Sequence, residues 1–288
     1  MAQAEIAIII PHYNDVVRLE RCLAALTEHD LTGCEVLVVD NGSTQPLDGV
    51  QARFPAIRFV TEQEKGAAAA RNRGVRETTA PLLMFIDADC VPAPDWVAVG
   101  RAVADKADVI GGRVEVFDET PPPRSGAEAF EAVFAFDFRQ YIEVQGFSGT
   151  GNLITRRDVF EDVGPFRGGV SEDTDWSFRA TAKRYSLIYE DGLRVGHPSR
   201  QDWSALRGKW LRLTREQFGL KVHDPKSRLL WVIKALAMPA SILAHLPKVM
   251  TSPKLSGPGD RWRAAGTLIR LRLLRMVWML RQAAGLRI

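Results

Sequence analysis

Two aspartates, Asp87 and Asp89, flank a small residue directly after the apolar run Leu82–Ile86. Carboxylates at this spacing can share one divalent cation, and hard oxygen ligands suit Mg²⁺ or Mn²⁺, which usually complete their coordination shell with substrate phosphates. Ala88 between them lets a ligand approach the backbone. Because aspartate is also common in solvated turns after strands, the triplet alone leaves both interpretations open.

The chain around this triplet alternates apolar runs with amphipathic segments. Strands are predicted over 6–10, 35–39, 57–60 and 82–86. The helices predicted between them cover 16–28 and 65–77. This alternation predicts a parallel sheet with helices on both faces. Polar residues such as Asp40 and Asp87 follow the strands, and ligands bind at this carboxyl edge in open α/β sheets.

The pattern changes beyond residue 105. We predict an interrupted strand over 109–116, a surface loop at 121–126, and helices over 127–138 and 173–184. From residue 200 onward the chain reads as helices, over 203–218, 229–250 and 261–281. These changes predict boundaries near residues 105 and 199.

The net charge of +3 conceals an uneven distribution. Residues 1–199 hold 20 Lys/Arg and 31 Asp/Glu, whereas residues 200–288 hold 18 Lys/Arg and four Asp/Glu. Such a basic region attracts acidic surfaces, so we expect residues 200–288 to contact an anionic membrane surface. The alternatives are packing on the rest of the chain or on a second subunit, because the arginines of 261–281 fall on both sides of a helix and leave no single apolar face. Nucleic acid ranks last as a partner, since no recognised binding module accompanies the charge. Lys234 and two prolines interrupt 229–250, which favours insertion at the membrane surface over a full crossing.

Cysteine usage and the N-terminal segment bear on the compartment. The three cysteines show no Cys-x-x-Cys spacing, which indicates reduced thiols rather than a disulfide framework or a zinc site. No basic stretch precedes the five-residue apolar run at 6–10, so we expect no signal peptide. A cytoplasmic location, at the membrane's cytoplasmic face, is therefore expected.

Four segments carry a resemblance to a known family. They are Ile-Ile-Ile-Pro-His-Tyr-Asn at 8–14, Val-Leu-Val-Val-Asp-Asn-Gly-Ser-Thr at 36–44, Lys-Gly and Ala-Arg-Asn-Arg-Gly within 65–74, and Phe-Ile-Asp-Ala-Asp at 85–89. In this order and spacing they resemble the family 2 glycosyltransferases, and the similarity continues through 151–152, 156–157, 163–166 and 171–176. The resemblance implies a GT-A fold, with a Rossmann-like, mostly parallel sheet. Residues 1–105 would form its nucleotide-sugar half, residues 106–199 its acceptor-binding and catalytic half, and residues 200–288 a basic helical tail.

The resemblance also implies a set of residues that bind the nucleotide sugar. These are Pro11, Tyr13, Asn14, Asp40, Lys65, Arg71, Asp87 and Ala88. The first three would line the nucleotide pocket, and Asp40 would accept a hydrogen bond from the base, typically uracil. Lys65 and Arg71 would face the diphosphate as a point charge and a planar fork. The alternatives are a helix-start residue for Lys65 and an exposed helix charge for Arg71.

A metal site follows from the same resemblance. Asp87 and Asp89 match the family's DXD motif, in which the second aspartate is the more direct ligand. His197 fits the late histidine that some GT-A enzymes use as a further ligand, although a lone histidine is more often structural. The implied cofactor is Mn²⁺ or Mg²⁺, held by Asp87, Asp89 and His197.

The catalytic and acceptor-binding residues are expected in the second half. Asp173 matches the family's ED motif, which carries the base that deprotonates the acceptor hydroxyl, an effect worth roughly 10²–10⁴-fold. Glu172 and Asp175 compete for this role, and we interpret Asp175 as a carboxylate favoured at a helix N-terminus. Gly151, Glu172 and Trp176 would bind the acceptor. The alternatives are a plain turn at Gly151 and core packing for Trp176.

These expectations define one leading hypothesis and two others. The leading one is an inverting, metal-dependent glycosyltransferase that moves a sugar, most simply from a UDP-sugar, to a hydroxyl of a lipid-linked or growing glycan. A non-catalytic nucleotide-sugar-binding scaffold of a membrane glycan assembly would keep the pocket without turnover. A nucleotidyltransferase would instead release pyrophosphate, and the Glu172-Asp173 arrangement gives it little support.

Overall fold

The computed structural model describes residues 4–288 as an α/β protein. Its strands are β1 (Ile6–His12), β2 (Cys34–Asp40), β3 (Arg58–Thr61), β4 (Leu82–Ile86), β5 (Val91–Pro92), β6 (Val109–Phe117), β7 (Asn152–Arg156) and β8 (Leu187–Pro198). Its helices are α1 (Val16–Thr27), α2 (Asp48–Arg53), α3 (Ala67–Arg76), α4 (Trp96–Val103), α5 (Gly126–Phe134), α6 (Phe138–Glu143), α7 (Arg157–Val163), α8 (Glu172–Ala182), α9 (Trp203–Lys221), α10 (Pro225–Leu236), α11 (Met238–Met250) and α12 (Pro258–Ala283). The predicted α/β class is confirmed, and the three cysteines are free.

The strands form one sheet in the order β3-β2-β1-β4-β7-β6-β8-β5. β1 lies between β2 and β4 and runs parallel to both, with Ile6 opposite Cys34 and His12 opposite Asp40. β7 runs antiparallel to β4 and to β6, so the sheet is mixed, and its parallel half comprises β1 to β4. The parallel strands end at one edge, where Asp40 and Asp87 follow buried aliphatic runs as the sequence predicts.

The core of the sheet-containing unit forms because aliphatic and aromatic residues from α3, α7 and α8 cover one face of the strands. Ile9, Phe85 and Leu153 belong to this cluster together with Trp176. Helix α3 approaches β1 so closely that a Cβ at Gly74 would lie 2.3 Å from Cγ2 of Ile9. A side chain there would overlap the strand, so glycine sets the depth at which α3 packs.

The chain divides into two compact units. The first contains residues 4–115 and 137–197, and the second contains residues 116–136 and 198–288. All the predicted site residues lie in the first unit, on its strands, its helices α3 and α8, and the loops between them. The functional division of residues 1–105 from 106–199 stays a prediction.

The second unit is helical, built from α5 and α9 to α12. Its core brings Phe130 of α5 together with Leu206 of α9, Val249 of α11 and Leu268 of α12. Arginines lie over its tryptophans, with Arg270 Cζ 3.9 Å from the ring centroid of Trp203. Arg275 likewise lies over Trp210, so two of the six arginines of α12 cover aromatic faces within the unit.

Two helices predicted as continuous are interrupted. The prediction over 127–138 is wrong because α5 ends at Phe134, Phe136 takes φ +55°, and α6 begins behind Asp137, whose carboxylate accepts from Gln140 N. The prediction over 229–250 is wrong because α10 and α11 meet at Ala237 with a bend of 51°. Within residues 4–288, no single helix has the length and apolar composition of a membrane span, and only this bent pair meets those criteria jointly.

Candidate active site

The loops after β1 and β2 are joined by Asn14. Its backbone takes φ +50°, a left-handed conformation that asparagine tolerates better than most residues. Asn14 Oδ1 accepts from Thr44 N at 2.7 Å and Gln45 N at 3.2 Å, and Asn14 N donates to Ser43 Oγ at 2.8 Å. Tyr13 beside it is exposed, and Pro11 precedes both on β1. The three residues predicted to line the nucleotide pocket therefore form the end of β1 and its link to the β2 loop.

Asp40 at the end of β2 is oriented by donors on both sides. Its carboxylate accepts from Ser43 N at 3.1 Å and from the Ser43 hydroxyl, and Nδ1 of His12 lies 3.2 Å from Oδ1. His12 is buried, and its Nε2 accepts from Asp15 N. No functional role was expected of His12. Its position could have indicated a role, because His12 ends β1 directly opposite Asp40 in the parallel register.

Lys65 lies at the opening formed by these loops. Its Nζ is 5.1 Å from the ring centroid of Tyr13 and 3.2 Å from the carbonyl oxygen of Gly42. The turn before α3 is fixed by buried Asn41, whose Oδ1 accepts from Gly66 N at 2.6 Å while Nδ2 donates to the Glu64 carbonyl at 2.6 Å. This arrangement presents a cation beside an exposed aromatic ring, which suits a nucleotide phosphate next to its ribose and base.

Arg71 of α3 connects two acidic segments that are far apart in sequence. Its Nη2 lies 2.6 Å from Oδ1 of Asp87, and its Nη1 lies 2.9 Å from Oε1 of Glu172. Burial alone would lower the pKa of this guanidinium, but the two carboxylates outweigh burial and raise it. Predicted to face a diphosphate, Arg71 is buried here, with both terminal nitrogens on carboxylates. Arg71 therefore links the end of β4 to the start of α8.

Asp89, Cys90 and His197 form a group of potential metal ligands. Their ligand atoms all lie within 4.8 Å of one another, and Oδ2 of Asp89 is 3.3 Å from Nε2 of His197. Carboxylate oxygen with imidazole nitrogen fits Mn²⁺, whereas the Cys90 sulfur adds a soft donor that favours Zn²⁺ or Cd²⁺. Sequence reasoning placed Asp89 and His197 in the site but missed Cys90, although it directly follows the triplet. The donor set present therefore fits a divalent cation.

Asp173 lies in the first turn of α8. Its Oδ1 accepts from Thr174 N at 2.7 Å and from the Ser171 hydroxyl at 3.1 Å. Its Oδ2 accepts no hydrogen bond from residues 4–288 and faces Gly149, at which a Cβ would lie 3.5 Å away. Burial raises the pKa of this carboxyl, and the adjacent Glu172 raises it further against the opposing effect of Arg71. Asp173 thus has one anchored oxygen and one that can take a proton.

The segment 149–151 passes along both acidic groups. A Cβ on Gly151 would lie only 2.9 Å from Oδ2 of Asp87, just as Gly149 faces Asp173. The segment is anchored by Asn152, whose Oδ1 accepts from Trp96 Nε1 at 2.9 Å and whose Nδ2 donates to the Leu193 carbonyl at 2.8 Å. Glycine is required at 151 because the backbone approaches the Asp87 carboxylate too closely for a side chain, and at 149 because a Cβ would lie 2.8 Å from Cζ of the Phe138 ring.

Trp176 takes the core-packing role rather than the acceptor-stacking role. It is fully buried, stacks on Phe160 with centroids 5.8 Å apart, and donates from Nε1 to the Gly164 carbonyl at 3.0 Å. With no exposed face, it offers no surface for a sugar ring. An aromatic group that the sequence analysis missed lies nearby: Phe147 contacts exposed Phe178, which follows on α8. Asp175 pairs with Arg179 at 2.8 Å, as expected of a structural carboxylate.

The family model for glycosyl transferase family 2 matches residues 7–164. The chain is 32% identical over 230 residues to Glycosyltransferase AglE of Haloferax volcanii, covering 76% of this chain and 75% of that protein. The match to the family model spans the loops of Asn14 and Asp40, Arg71 and the Asp87–Asp89 triplet.

Two solved structures share the fold. The mannosyltransferase PcManGT from Pyrobaculum calidifontis, in complex with GDP-Man and Mn²⁺, aligns with a TM-score of 0.53 at 18% identity, covering 99% of this chain and 76% of that chain. TarS 1-349 of S. aureus, in complex with UDP-GlcNAc, aligns with a TM-score of 0.55 at 15% identity, covering 98% and 92%. At these identities the likeness concerns the fold, and it confirms the predicted GT-A class.

Proposed function

This chain belongs to glycosyltransferase family 2, and from that premise we propose that it transfers a sugar from a nucleotide-diphosphate sugar to an acceptor hydroxyl with inversion at the anomeric carbon. The observation that carries the proposal is the convergence of Asp87, Glu172 and Asp173 around Arg71. The two ion pairs of Arg71 link the triplet after β4 to the acidic first turn of α8. The residues proposed to bind the sugar donor and the residue proposed to deprotonate the acceptor therefore lie together.

The reaction assigned to this site is a single displacement. The free Oδ2 of Asp173 removes the proton of the acceptor hydroxyl while that oxygen bonds to the anomeric carbon. The bond from that carbon to the diphosphate oxygen breaks, and its electron pair leaves with the nucleoside diphosphate. Burial and Glu172 keep the pKa of Asp173 above that of an ordinary aspartate, which strengthens it as a base once ionised.

The donor half of the site supports a nucleotide ligand. Asp40, oriented by His12 and Ser43, offers carboxylate lone pairs to an imide N–H such as that of uracil. Lys65 supplies positive charge beside the exposed ring of Tyr13. We favour a UDP-sugar for this reason. TarS with UDP-GlcNAc and PcManGT with GDP-Man illustrate that neighbours of this fold take different bases.

A divalent cation, Mn²⁺ or Mg²⁺, would be held by Asp89 and His197, whereas Asp87, also predicted as a ligand, lies outside this group of close ligand atoms and pairs with Arg71. When bound, it supplies positive charge that stabilises the leaving diphosphate. Arg71 contributes from the protein side by holding Asp87 in place through Oδ1. The loop glycine Gly151 leaves Oδ2 of the same carboxylate uncovered by a side chain.

The acceptor is proposed to be a lipid-linked or growing glycan at the cytoplasmic face of a membrane. Phe178 of α8, with Phe147 of the loop after α6 against it, offers aromatic surface that suits a sugar ring or an isoprenoid chain. The excess of Lys and Arg in residues 200–288 supports attraction to anionic lipid. The proposed location follows from that charge.

The test pairs donor binding with turnover. Thermal shift with nucleoside diphosphates and their sugars, with and without Mn²⁺, identifies the donor, because ligand binding to the folded state raises apparent stability. Release of nucleoside diphosphate is then measured for wild type, Asp173→Asn and Asp175→Asn. We expect Asp173→Asn to keep donor binding and lose roughly 10²–10⁴-fold in rate, while Asp175→Asn keeps most of it. Equal turnover of Asp173→Asn and wild type would refute the assigned base, and donor binding without turnover on any acceptor would favour the scaffold.

A further inference from the structure

Helices α10 and α11 expose an apolar row that nothing in residues 4–288 covers. It consists of Leu229, Ile233, Leu236, Ala240, Leu243 and Pro247, spaced alternately four and three residues apart. Leu236 is 61% exposed and Leu243 is 74% exposed. This spacing puts the members of each helix on one face. We call these six residues the apolar row.

The face of each helix opposite the row is packed inside its own unit. Trp231, Ala235 and Met238 are buried against Met279 of α12, and Val249 joins the main core of the unit. The apolar row is therefore the outer surface of two helices whose core-facing residues are already packed. Both helices are fixed on α12, and the row is what they present outward.

Every charged side chain between residues 225 and 250 is basic. They are Lys226, Arg228, Lys234 and Lys248. An apolar face bordered by Lys and Arg, without acidic residues, matches a surface that combines hydrocarbon with negative charge. A second copy of this chain would instead oppose like charges across a two-fold interface.

The dimensions of the pair favour lying on a membrane over crossing it. Helices of 12 and 13 residues are about 18 and 20 Å long, shorter than the roughly 30 Å hydrocarbon core. They are bent by 51° at Ala237. On the packed side of the pair lies Arg272 of α12, whose Nη1 is 3.8 Å from the sulfur of Met238. A charged support of this kind keeps the unit outside the hydrocarbon while the row enters it.

We propose that the apolar row of α10 and α11 is the surface through which this protein inserts into anionic lipid membranes. The inference rests on the proposed membrane location and is independent of the transfer reaction. It narrows the proposed membrane contact from residues 200–288 to one face of helices α10 and α11, within residues 225–250. Helix α12 also exposes apolar residues, but two of its arginines, Arg270 and Arg275, already lie over tryptophans within the unit.

The experiment compares two exposed leucines. The full chain and the variants Leu236→Glu and Leu286→Glu are floated with vesicles of phosphatidylcholine containing phosphatidylglycerol, and with pure phosphatidylcholine vesicles. Leu286 is 55% exposed and lies outside the row, so its variant carries the same charge change elsewhere. We expect wild type to prefer the anionic vesicles with salt-sensitive binding, and Leu236→Glu to bind about tenfold more weakly. Leu286→Glu should stay within about twofold of wild type.

Other outcomes overturn the proposal. Absence of wild-type flotation, or equal weakening by both substitutions, would exclude the row as a lipid anchor. If wild type is a dimer by light scattering and Leu236→Glu a monomer, the row covers a second copy instead. Donor thermal shift and nucleotide release are measured on the same preparations, so intact values show that the variants are folded. A failure of transfer with normal flotation would count against the proposed reaction alone.

Discussion

Nη2 of Arg71 lies 2.6 Å from Oδ1 of Asp87, in an ion pair whose arginine side chain is only 5% exposed. The same guanidinium donates to Glu172 at 2.9 Å, so α3 links the triplet after β4 to the helix that carries Asp173. A buried ion pair adds little stability relative to an apolar replacement, but removing one partner leaves uncompensated charge. The geometry of the site therefore depends on a residue that is itself hidden from solvent.

Arg71→Met is expected to destabilise the protein strongly. It leaves Asp87 and Glu172 facing each other without a cation, at a cost of about 3–5 kcal/mol. Arg73→Met is the matched control on the same helix, because Arg73 forms a partly exposed i,i+4 pair with Glu77 worth about 0.3–0.5 kcal/mol. Urea unfolding of both variants measures the difference. Similar free energies of unfolding for the two would contradict the role assigned to Arg71.

Gly151→Ala is expected to impair the reaction more than the fold. Its Cβ would lie 2.9 Å from Oδ2 of Asp87, and that carboxylate cannot turn aside without weakening its bond to Arg71. A displacement of this size in a positioned group can lower kcat/KM by about 10²-fold. Gly168→Ala, where a Cβ meets nothing within 4 Å, is the control and should leave kcat/KM unchanged. A harmless Gly151→Ala would mean that Asp87 Oδ2 plays no part in donor binding.

The parallel half of the fold could be read from sequence because its strands are continuous aliphatic runs. β4 was predicted with its observed bounds, and β1 and β2 within two residues at either end. β7 could not, since Asn152 to Arg156 looks like the continuation of a glycine turn and gains its identity only by pairing antiparallel with β4. The break between α5 and α6 was also missed, because Phe136 adopts a positive φ that its residue type does not signal.

The site residues that belong to short sequence motifs could be predicted, whereas those whose role depends on tertiary packing could not. Asp87, Asp89 and Asp173 stand out by their spacing and neighbours. The burial of Trp176 depends on rings from other elements, which no local pattern reveals. Likewise, Cys90 joins His197 only because β5 pairs antiparallel with β8, bringing residues about a hundred positions apart together.

The pH dependence of the reaction should report the raised pKa of Asp173. The base must be ionised, so kcat/KM falls as pH drops through its pKa, which burial and then Glu172 raise above the ordinary value. Glu172→Gln removes the negative neighbour and leaves Arg71 less neutralised, and both changes lower that pKa. The acid limb of the profile is therefore expected to move to lower pH. Exposed Glu161→Gln is the control, and a limb that moves upward or stays in place would contradict the assignment.

Asp89→Ala should remove the response to divalent cations. Its Oδ2 lies beside Nε2 of His197, at the centre of the potential ligand group. Titration of wild type with Mn²⁺ is expected to raise both the unfolding temperature and nucleotide release, whereas the variant should show neither effect. Asp158→Ala at the exposed start of α7 controls for loss of surface charge. Full Mn²⁺-dependent turnover by Asp89→Ala would exclude this carboxylate as a ligand.

Cys90→Ser should separate soft from hard cations. The buried Cys90 thiol lies among Asp89 and His197, so Cd²⁺ can take sulfur, nitrogen and oxygen ligands together, while Mn²⁺ needs only the harder two. Wild type is therefore expected to develop the ultraviolet absorption of a cadmium–thiolate bond and to lose Mn²⁺-supported turnover as Cd²⁺ is added. Cys90→Ser should lack that absorption, keep turnover with Mn²⁺ and resist Cd²⁺. Cys34→Ser, at the far end of β2 from Asp40, should behave as wild type. An undiminished absorption band in Cys90→Ser would place the thiolate ligand elsewhere.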